Sequence, residues 1–332
     1  KHDFAVNVRV AEPPEWLLSE LTESLSHSAK YPDQSDAITA IAERHHVSPA
    51  SVLPTAGAAE AFTLIAAAAK LRWGVQRPAI IHPQFTEPEY ALQNYGLAPE
   101  HILLSPETGF RLPQQLDTDP DLLVVGNPTN PTGVWHADAA IRALGSDDCI
   151  RVVDEAFADM VPQASSITGG LSRMLVCRSL TKTWGLAGLR VGYIVGDEQL
   201  VADLRELQPH WPVSTPALRA IELCLRADPA QYRDEAHAQR EHQIERLNSI
   251  PGLHAWPSAA PFGLVNVTGF LHESRLTGAE LRTRLARRGI AVRRCDTFPG
   301  LDDTWLRLAV RPEREVDVLV AALAEIAAES KP

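Results

Sequence analysis

Lys182 carries the first chemical signal in the chain, in Ser179-Leu-Thr181-Lys182-Thr-Trp-Gly-Leu-Ala-Gly-Leu-Arg190-Val-Gly-Tyr193. It follows a hydrophobic run, stands among hydroxyls, and has an arginine eight residues on. A buried lysine can shed its proton and attack an aldehyde carbon. Hydroxyls and a guanidinium close by are what a phosphate requires. The segment therefore offers an imine-forming amine beside an anion pocket, the pair that a phosphorylated aldehyde such as pyridoxal 5'-phosphate (PLP) needs. A helix-flanking lysine with a structural arginine is the competing reading of the same residues.

Two further segments point the same way. In Ile150-Arg-Val-Val-Asp154-Glu-Ala-Phe157, Asp154 closes a β-branched run. That places a carboxylate at the C-terminal end of an expected parallel strand, where open α/β sheets bind ligands. Such a group can pair with a protonated pyridine nitrogen and keep the ring electron-withdrawing. Leu122-Leu-Val-Val-Gly-Asn127-Pro-Thr-Asn130-Pro-Thr-Gly133 reads as another buried strand, opening into a turn stiffened by its prolines. Asn130 is a candidate donor to the phenolic oxygen of PLP. Each segment alone admits an ordinary strand cap or turn. Three in this order, each at a strand end, point to one site.

On these residues the chain resembles the fold-type-I PLP enzymes of the class I/II aminotransferase group. Within it the chain is similar to histidinol-phosphate aminotransferases. It is more similar to the cobalamin-pathway branch of threonine-phosphate decarboxylases and their aminotransferase-labelled relatives. The likeness runs from Asp3-Phe-Ala-Val-Asn7 to Leu306-Arg307-Leu-Ala-Val. It implies Lys182 and Asp154 as catalytic residues, and Asn7 and Arg307 as ligands of the substrate, Arg307 gripping its carboxylate. It implies a phosphate cup from Ser179, Thr181, Arg190 and the backbone after Gly57, at Ala58 and Ala59. Thr55-Ala-Gly57-Ala58-Ala59-Glu60 fits that role physically, since a glycine turn opening a helix leaves free N–H groups facing an anion. An ordinary helix start is the alternative. Phe85 falls where the family stacks a ring on the pyridine. Tyr31 resembles the tyrosine that relatives extend to a neighbour's PLP phosphate, which implies a homodimer with shared active sites. Phe157 departs from the tyrosine usual in histidinol-phosphate aminotransferases and is similar to the cobalamin branch.

The elements that must position these groups alternate. Strands are expected near 79–82, 101–104, 121–126, 149–153, 173–178 and 191–195, with helices near 58–71, 86–95, 137–144 and 198–208. The pattern implies an α/β fold, a mostly parallel central sheet covered by helices. Helical signals follow from about 215 to 249, broken near Pro229. Strand signals at 263–267 and 305–310 then flank a helix with the capping box Thr277-Gly-Ala-Glu280, and a last helix covers 313–328. The expected division is an N-terminal arm, 1–30, joining the small domain, a large PLP-binding domain, 31–225, and a smaller α+β domain, 226–332.

Composition limits the alternatives. With 332 residues, 45% of them hydrophobic, the chain can build a large core and a second lobe. The net charge of −11 argues against nucleic acid as a partner, so an anionic substrate must be held by local cations. No membrane-length run or signal-peptide pattern is visible, and four scattered cysteines show no metal-type spacing. A cytoplasmic enzyme with reduced thiols and no metal is expected. The first residue is a lysine, which leaves the natural N-terminus open. His45-His46 reads as a solvated helix end.

The leading functional expectation is a PLP enzyme acting on a small phosphorylated amino acid or amine, most sharply the decarboxylation of threonine phosphate. The alternative is an aminotransferase using histidinol phosphate or an aromatic amino acid with 2-oxoglutarate. A PLP-binding regulatory domain without turnover is a third reading, weakened by the acidic charge and the lack of a winged-helix segment.

Overall fold

Continuous apolar runs mark strands buried on both faces, and amphipathic stretches around them, alanine-rich over 57–71, form the covering helices. The computed structural model describes residues 1–329 apart from 9, 11, 162 and 164. The chain opens with β1 (His2–Asp3), α1 (Glu15–Ser24) and α2 (Ser35–His45). Next come β2 (Val52–Thr55), α3 (Gly57–Leu71), β3 (Pro78–His82), α4 (Glu87–Asn94) and β4 (Glu100–Leu103). They are followed by β5 (Leu122–Gly126), α5 (Asp138–Arg142), β6 (Ile150–Glu155), β7 (Met174–Ser179) and β8 (Gly192–Gly196). Helices α6 (Glu198–Leu207), α7 (Thr215–Arg226) and α8 (Ala230–Asn248) lead into β9 (His254–Ala255), β10 (Phe262–Asn266), α9 (Thr268–Ser274) and α10 (Gly278–Arg287). The chain ends with β11 (Ile290–Ala291), β12 (Arg293–Arg294), β13 (Trp305–Ala309) and α11 (Glu313–Glu329).

β2 to β8 form a seven-stranded sheet in the order β2-β8-β7-β6-β5-β3-β4. β3 to β7 are mutually parallel, β8 is antiparallel to both its neighbours, and β2 therefore runs with the rest. Alternation sends successive side chains into two cores. Val125, Val153, Val176 and Val195 meet α1, α2 and α7 on one face. Val124, Val152, Leu175 and Ile194 meet α3 and α6 on the other. A third core lies under the antiparallel sheet β12-β13-β10-β9, where Phe4, Leu306 and Leu308 pack with Leu281, Leu285, Val316 and Leu319. Thr277 and Glu280 cap α10 reciprocally, as expected.

Four details differ from expectation. β2 contains Pro54, which argues against a central strand; here it is the edge strand of the sheet, where a missing N–H is tolerated. α9 is a short unexpected helix of seven residues. The N-terminal segment divides: β1 pairs with β11 and Phe4 enters the third core, but α1 docks Leu17 and Leu21 on the large sheet. While His46 is exposed as expected, His45 is half-buried. Its Nε2 lies 2.9 Å from the Tyr193 hydroxyl, and burial pushes its pKa down to about 3.

One buried charge cluster ties strand ends together behind the site. Arg178, on β7, donates to Glu155, on β6, at 2.8 Å and also to Asp159. Removing the cation alone would leave two carboxylates in a poorly solvated place. Arg178→Met is therefore expected to cost about 3–5 kcal/mol, read as a lower urea midpoint at an unchanged slope. A loss within experimental error would show that water reaches the pair.

Candidate active site

The parallel strands end on one side of the sheet, and the loops that leave them supply most of the site. Asp154 is the penultimate residue of β6, Asn130 lies in the turn after β5, and Ser179 closes β7 just before Thr181 and Lys182. β2 delivers the chain to Gly57 and the start of α3, and β3 delivers it to Phe85. From the other lobe come Asn7 and Arg307. A cavity of about 470 Å³ is lined by Asn7, Ala58, Ala59, Phe85, Asn130, Asp154, Ser179, Thr181, Lys182, Arg190 and Arg307. Of the residues singled out in the sequence, Gly57 borders this cavity through Arg190. Tyr31 lies elsewhere, 75% exposed, with its ring stacked on Trp211 at 4.2 Å.

The phosphate end is shaped by backbone. Gly57 has φ +79, and a Cβ there would stand 2.7 Å from Nη2 of Arg190. The left-handed φ favours glycine, and a Cβ would have to displace the guanidinium. Arg190 itself has φ 57 and is tethered by a 3.1 Å bond to the Ala187 carbonyl. The Ser179 and Thr181 hydroxyls are 2.8 Å apart, and both are buried. Free amides at a helix start, two hydroxyls and a guanidinium in a cradle without a Cβ fit a phosphate monoester.

Burial drives the two ionisable groups at the centre toward neutrality. The Asp154 carboxyl is pushed up to about 6 by burial, partly offset by the 3.0 Å bond from the Ala156 amide and by Lys182. Burial, then Arg307 and Arg190, lowers the pKa of Lys182, with Asp154 opposing. A lysine with cations around it is poised to act as a neutral amine. A buried carboxyl with no cation pressed against it suits a ligand that brings its own positive charge, such as a pyridinium.

Arg307 is held from three sides. Nη1 donates to Oδ1 of Asn130 at 2.7 Å and to the Asn7 amide oxygen at 3.0 Å, and Nη2 to the Ala5 carbonyl. Because Asn130 accepts from Arg307, its NH2 remains available as a donor to the cavity. Among the described residues no carboxylate pairs with Arg307, which is 7% exposed. Phe157 lines the cavity and packs edge-on against Phe262, 4.9 Å between centroids.

Sequence reasoning missed Arg293, which also lines the cavity. β12 sets it directly opposite Arg307 on β13. Its guanidinium lies 5.4 Å from the Phe298 ring and donates to the Thr297 hydroxyl at 3.1 Å. Like charges opposite each other on a sheet repel, and an anion between the two guanidinium groups would relieve that repulsion. A two-residue strand leaves no periodic signal, so only this pairing reveals it.

With this geometry in view, the chain matches the aminotransferase class I and II family over residues 3–323, and it belongs to that family of PLP-dependent enzymes. It is 45% identical to a histidinol-phosphate aminotransferase of Mycobacterium tuberculosis, across 97% of this chain and 86% of that one. It is 30% identical to a threonine-phosphate decarboxylase of Salmonella typhimurium, across 98% and 90%. The fold matches that of a histidinol-phosphate aminotransferase from Sinorhizobium meliloti in complex with pyridoxal-5'-phosphate, with a TM-score of 0.82, 21% identity, and coverage of 99% and 91%.

The raised Asp154 pKa fixes the sign of a pH effect in the PLP-free chain. The folded state binds this proton more tightly than the unfolded one, so the contribution is full below the ordinary carboxyl value and is lost as pH rises through about 6. Asp154→Asn should therefore gain stability over the native chain on going from about pH 4 to about pH 7, by on the order of 3 kcal/mol for roughly two units. Urea midpoints at both pH values read this difference. Identical pH dependence in the two chains would refute it.

Proposed function

We propose that this enzyme acts on a small phosphorylated amino acid, with decarboxylation of threonine phosphate as the sharpest form of that reading. The observation that carries it is the cross-strand pair of Arg293 and Arg307 facing the cavity without carboxylate partners among the described residues. A phosphorylated amino acid brings two anions, a carboxylate for the rigid Arg307 and a phosphate for Arg293. A phosphorylated amino alcohol brings one, although the glutamate or 2-oxoglutarate of an aminotransferase would also bring two. Phe157 adds support, because its ring offers no hydroxyl to the cofactor, as in the cobalamin branch.

When bound, PLP supplies an aldehyde carbon that captures amines and a conjugated ring that accepts electrons from a bond broken at Cα. The protein does the rest. Gly57, Ala58, Ala59, Ser179, Thr181 and Arg190 would hold its phosphate, Asp154 its ring nitrogen, Asn130 its phenolic oxygen and Phe85 its face. Arg307 would hold the substrate carboxylate and so set which bond at Cα is offered to that electron sink. Offering the bond to the carboxylate would release CO2; offering the Cα–H bond would let the Lys182 amine take the proton, the route to amino transfer.

The second reading is an aminotransferase using histidinol phosphate, or an aromatic amino acid, with 2-oxoglutarate. The 45% identity to a protein of that name favours it. CO2 release on incubation with threonine phosphate, and a rise of roughly tenfold or more in KM for Arg293→Ala with PLP still bound, are the outcomes expected of the first reading. No CO2, alongside glutamate-dependent amination of imidazoleacetol phosphate, would transfer the assignment to the second.

The same reading includes a homodimer. Tyr31 and Trp211, 75% and 53% exposed, present a stacked aromatic pair on the surface, which supports a face that one copy offers another. Sedimentation should find a dimer at micromolar concentration, and Tyr31→Phe should weaken PLP retention. A monomer that retains PLP fully would end this part of the proposal. All four cysteines are free and buried, which supports a reducing compartment such as the cytosol. Among the described residues no helix is long and apolar enough to cross a membrane.

A further inference from the structure

At the far edge of the large sheet, parallel pairing of β3 and β4 sets His101 beside Ile80. Strand alternation then brings His82, two residues on, to the same face. The rings meet with centroids 4.5 Å apart. α4 covers this face, since its Ala91 and Leu92 share a core with Ile80, and its first turn carries Glu89 over the two imidazoles. Glu89 Oε1 is 2.8 Å from His101 Nε2, and Oε2 is 3.5 Å from His82 Nε2. One donor atom from each of the three residues lies within 4.8 Å of the others.

His82 is the unusual member. It is 0% exposed, and its Nε2 has no hydrogen-bond partner. Burial, and then His101, holds its pKa down to about 4, so the ring is neutral and its 3.5 Å approach to Glu89 is not an ion pair. A buried polar atom without a partner costs about 1–3 kcal/mol and calls for an explanation. A neutral imidazole aimed at a carboxylate and a second imidazole is what a borderline metal ion coordinates.

We propose that His82, Glu89 and His101 form a binding site for a zinc-type divalent cation, separate from the PLP cavity. Two imidazole nitrogens and one carboxylate oxygen suit zinc, cobalt or nickel rather than calcium or magnesium, which prefer all-oxygen shells. Donors around a tetrahedral zinc stand about 3.4 Å apart, as follows from bonds near 2.0–2.1 Å. The two approaches to the Glu89 carboxylate, 2.8 and 3.5 Å, lie on either side of that distance, and all three donors lie within 4.8 Å, so the side chains must draw together to close on an ion. His101 is exposed, which gives an ion a route to the site. Ligation at His82 Nε2 moves the ring proton to Nδ1, which now receives the Gln84 amide in a long 3.4 Å contact. That contact yields on binding.

None of the three residues lines the PLP cavity. The test uses the holoenzyme dialysed against chelator, titrated with Co2+ for its visible ligand-field band and with Zn2+ against a chromophoric chelator. One equivalent per chain, at micromolar affinity or tighter, is expected. His101→Ala and Glu89→Gln should each weaken binding by roughly tenfold or more, while the absorbance of bound PLP shows that both chains stay folded. Absence of a stoichiometric site in the native chain would overturn the proposal. So would undiminished binding in both variants, because the ion would then sit elsewhere.

Discussion

The organisation of this enzyme depends on an opposition between burial and charge at the C-terminal edge of the parallel strands. Lys182 and Asp154 share a cavity that solvates neither ion well, so burial drives both toward neutral forms. Left to each other they would settle as a weak ion pair. Arg307 and Arg190 prevent this by disfavouring a third cation, which leaves the lysine closer to a free amine. The carboxyl, deprived of a cation of its own, suits a ligand that carries one, and on the proposed reading that cation would be a ring nitrogen. The fold brings both groups to the edge: β6 ends with one and β7 leads to the other, as hydrogen-bonded neighbours.

Much of this was legible because parallel strands buried on both faces leave a strong trace. The apolar runs ending at Asp154, Ser179 and Gly126 located strand ends to within a residue or two, and ligands collect at strand ends. Gly57 was legible for a different reason, as a glycine turn opening an alanine-rich helix. The structure adds the cause, a left-handed φ and a guanidinium where a Cβ would be. Both are local properties, and local properties are what a sequence shows.

What escaped notice depends on cross-strand register. Arg293 belongs to a strand of two residues, and its meaning comes from standing opposite Arg307, fourteen positions away. His82, Glu89 and His101 have no ligand-like spacing, and they converge only because β3 and β4 pair in one register with α4 folded over them. His45 looked solvated beside a second histidine, yet helix packing turned its ring to Tyr193. The N-terminal segment was the hardest to divide, because β1 and α1 serve different lobes and their few residues carry no signal of which.

The two substrate-side arginines are held very differently, and on the proposed reading that asymmetry selects the reaction. Arg307 is fixed by Asn130, Asn7 and the Ala5 carbonyl, so an anion that binds it takes a defined direction. Arg293 rests on the Phe298 ring with a single hydroxyl contact and can follow the group it binds. A rigid grip on one anion and an adaptable grip on the other would give the substrate a fixed direction at Arg307 and freedom at Arg293. Asn130 couples this end to the other, because the amide that orients Arg307 is also the candidate donor to the cofactor. On the proposed reading, how the two cations are tethered would bear on the reaction class as well as which catalytic residues are present.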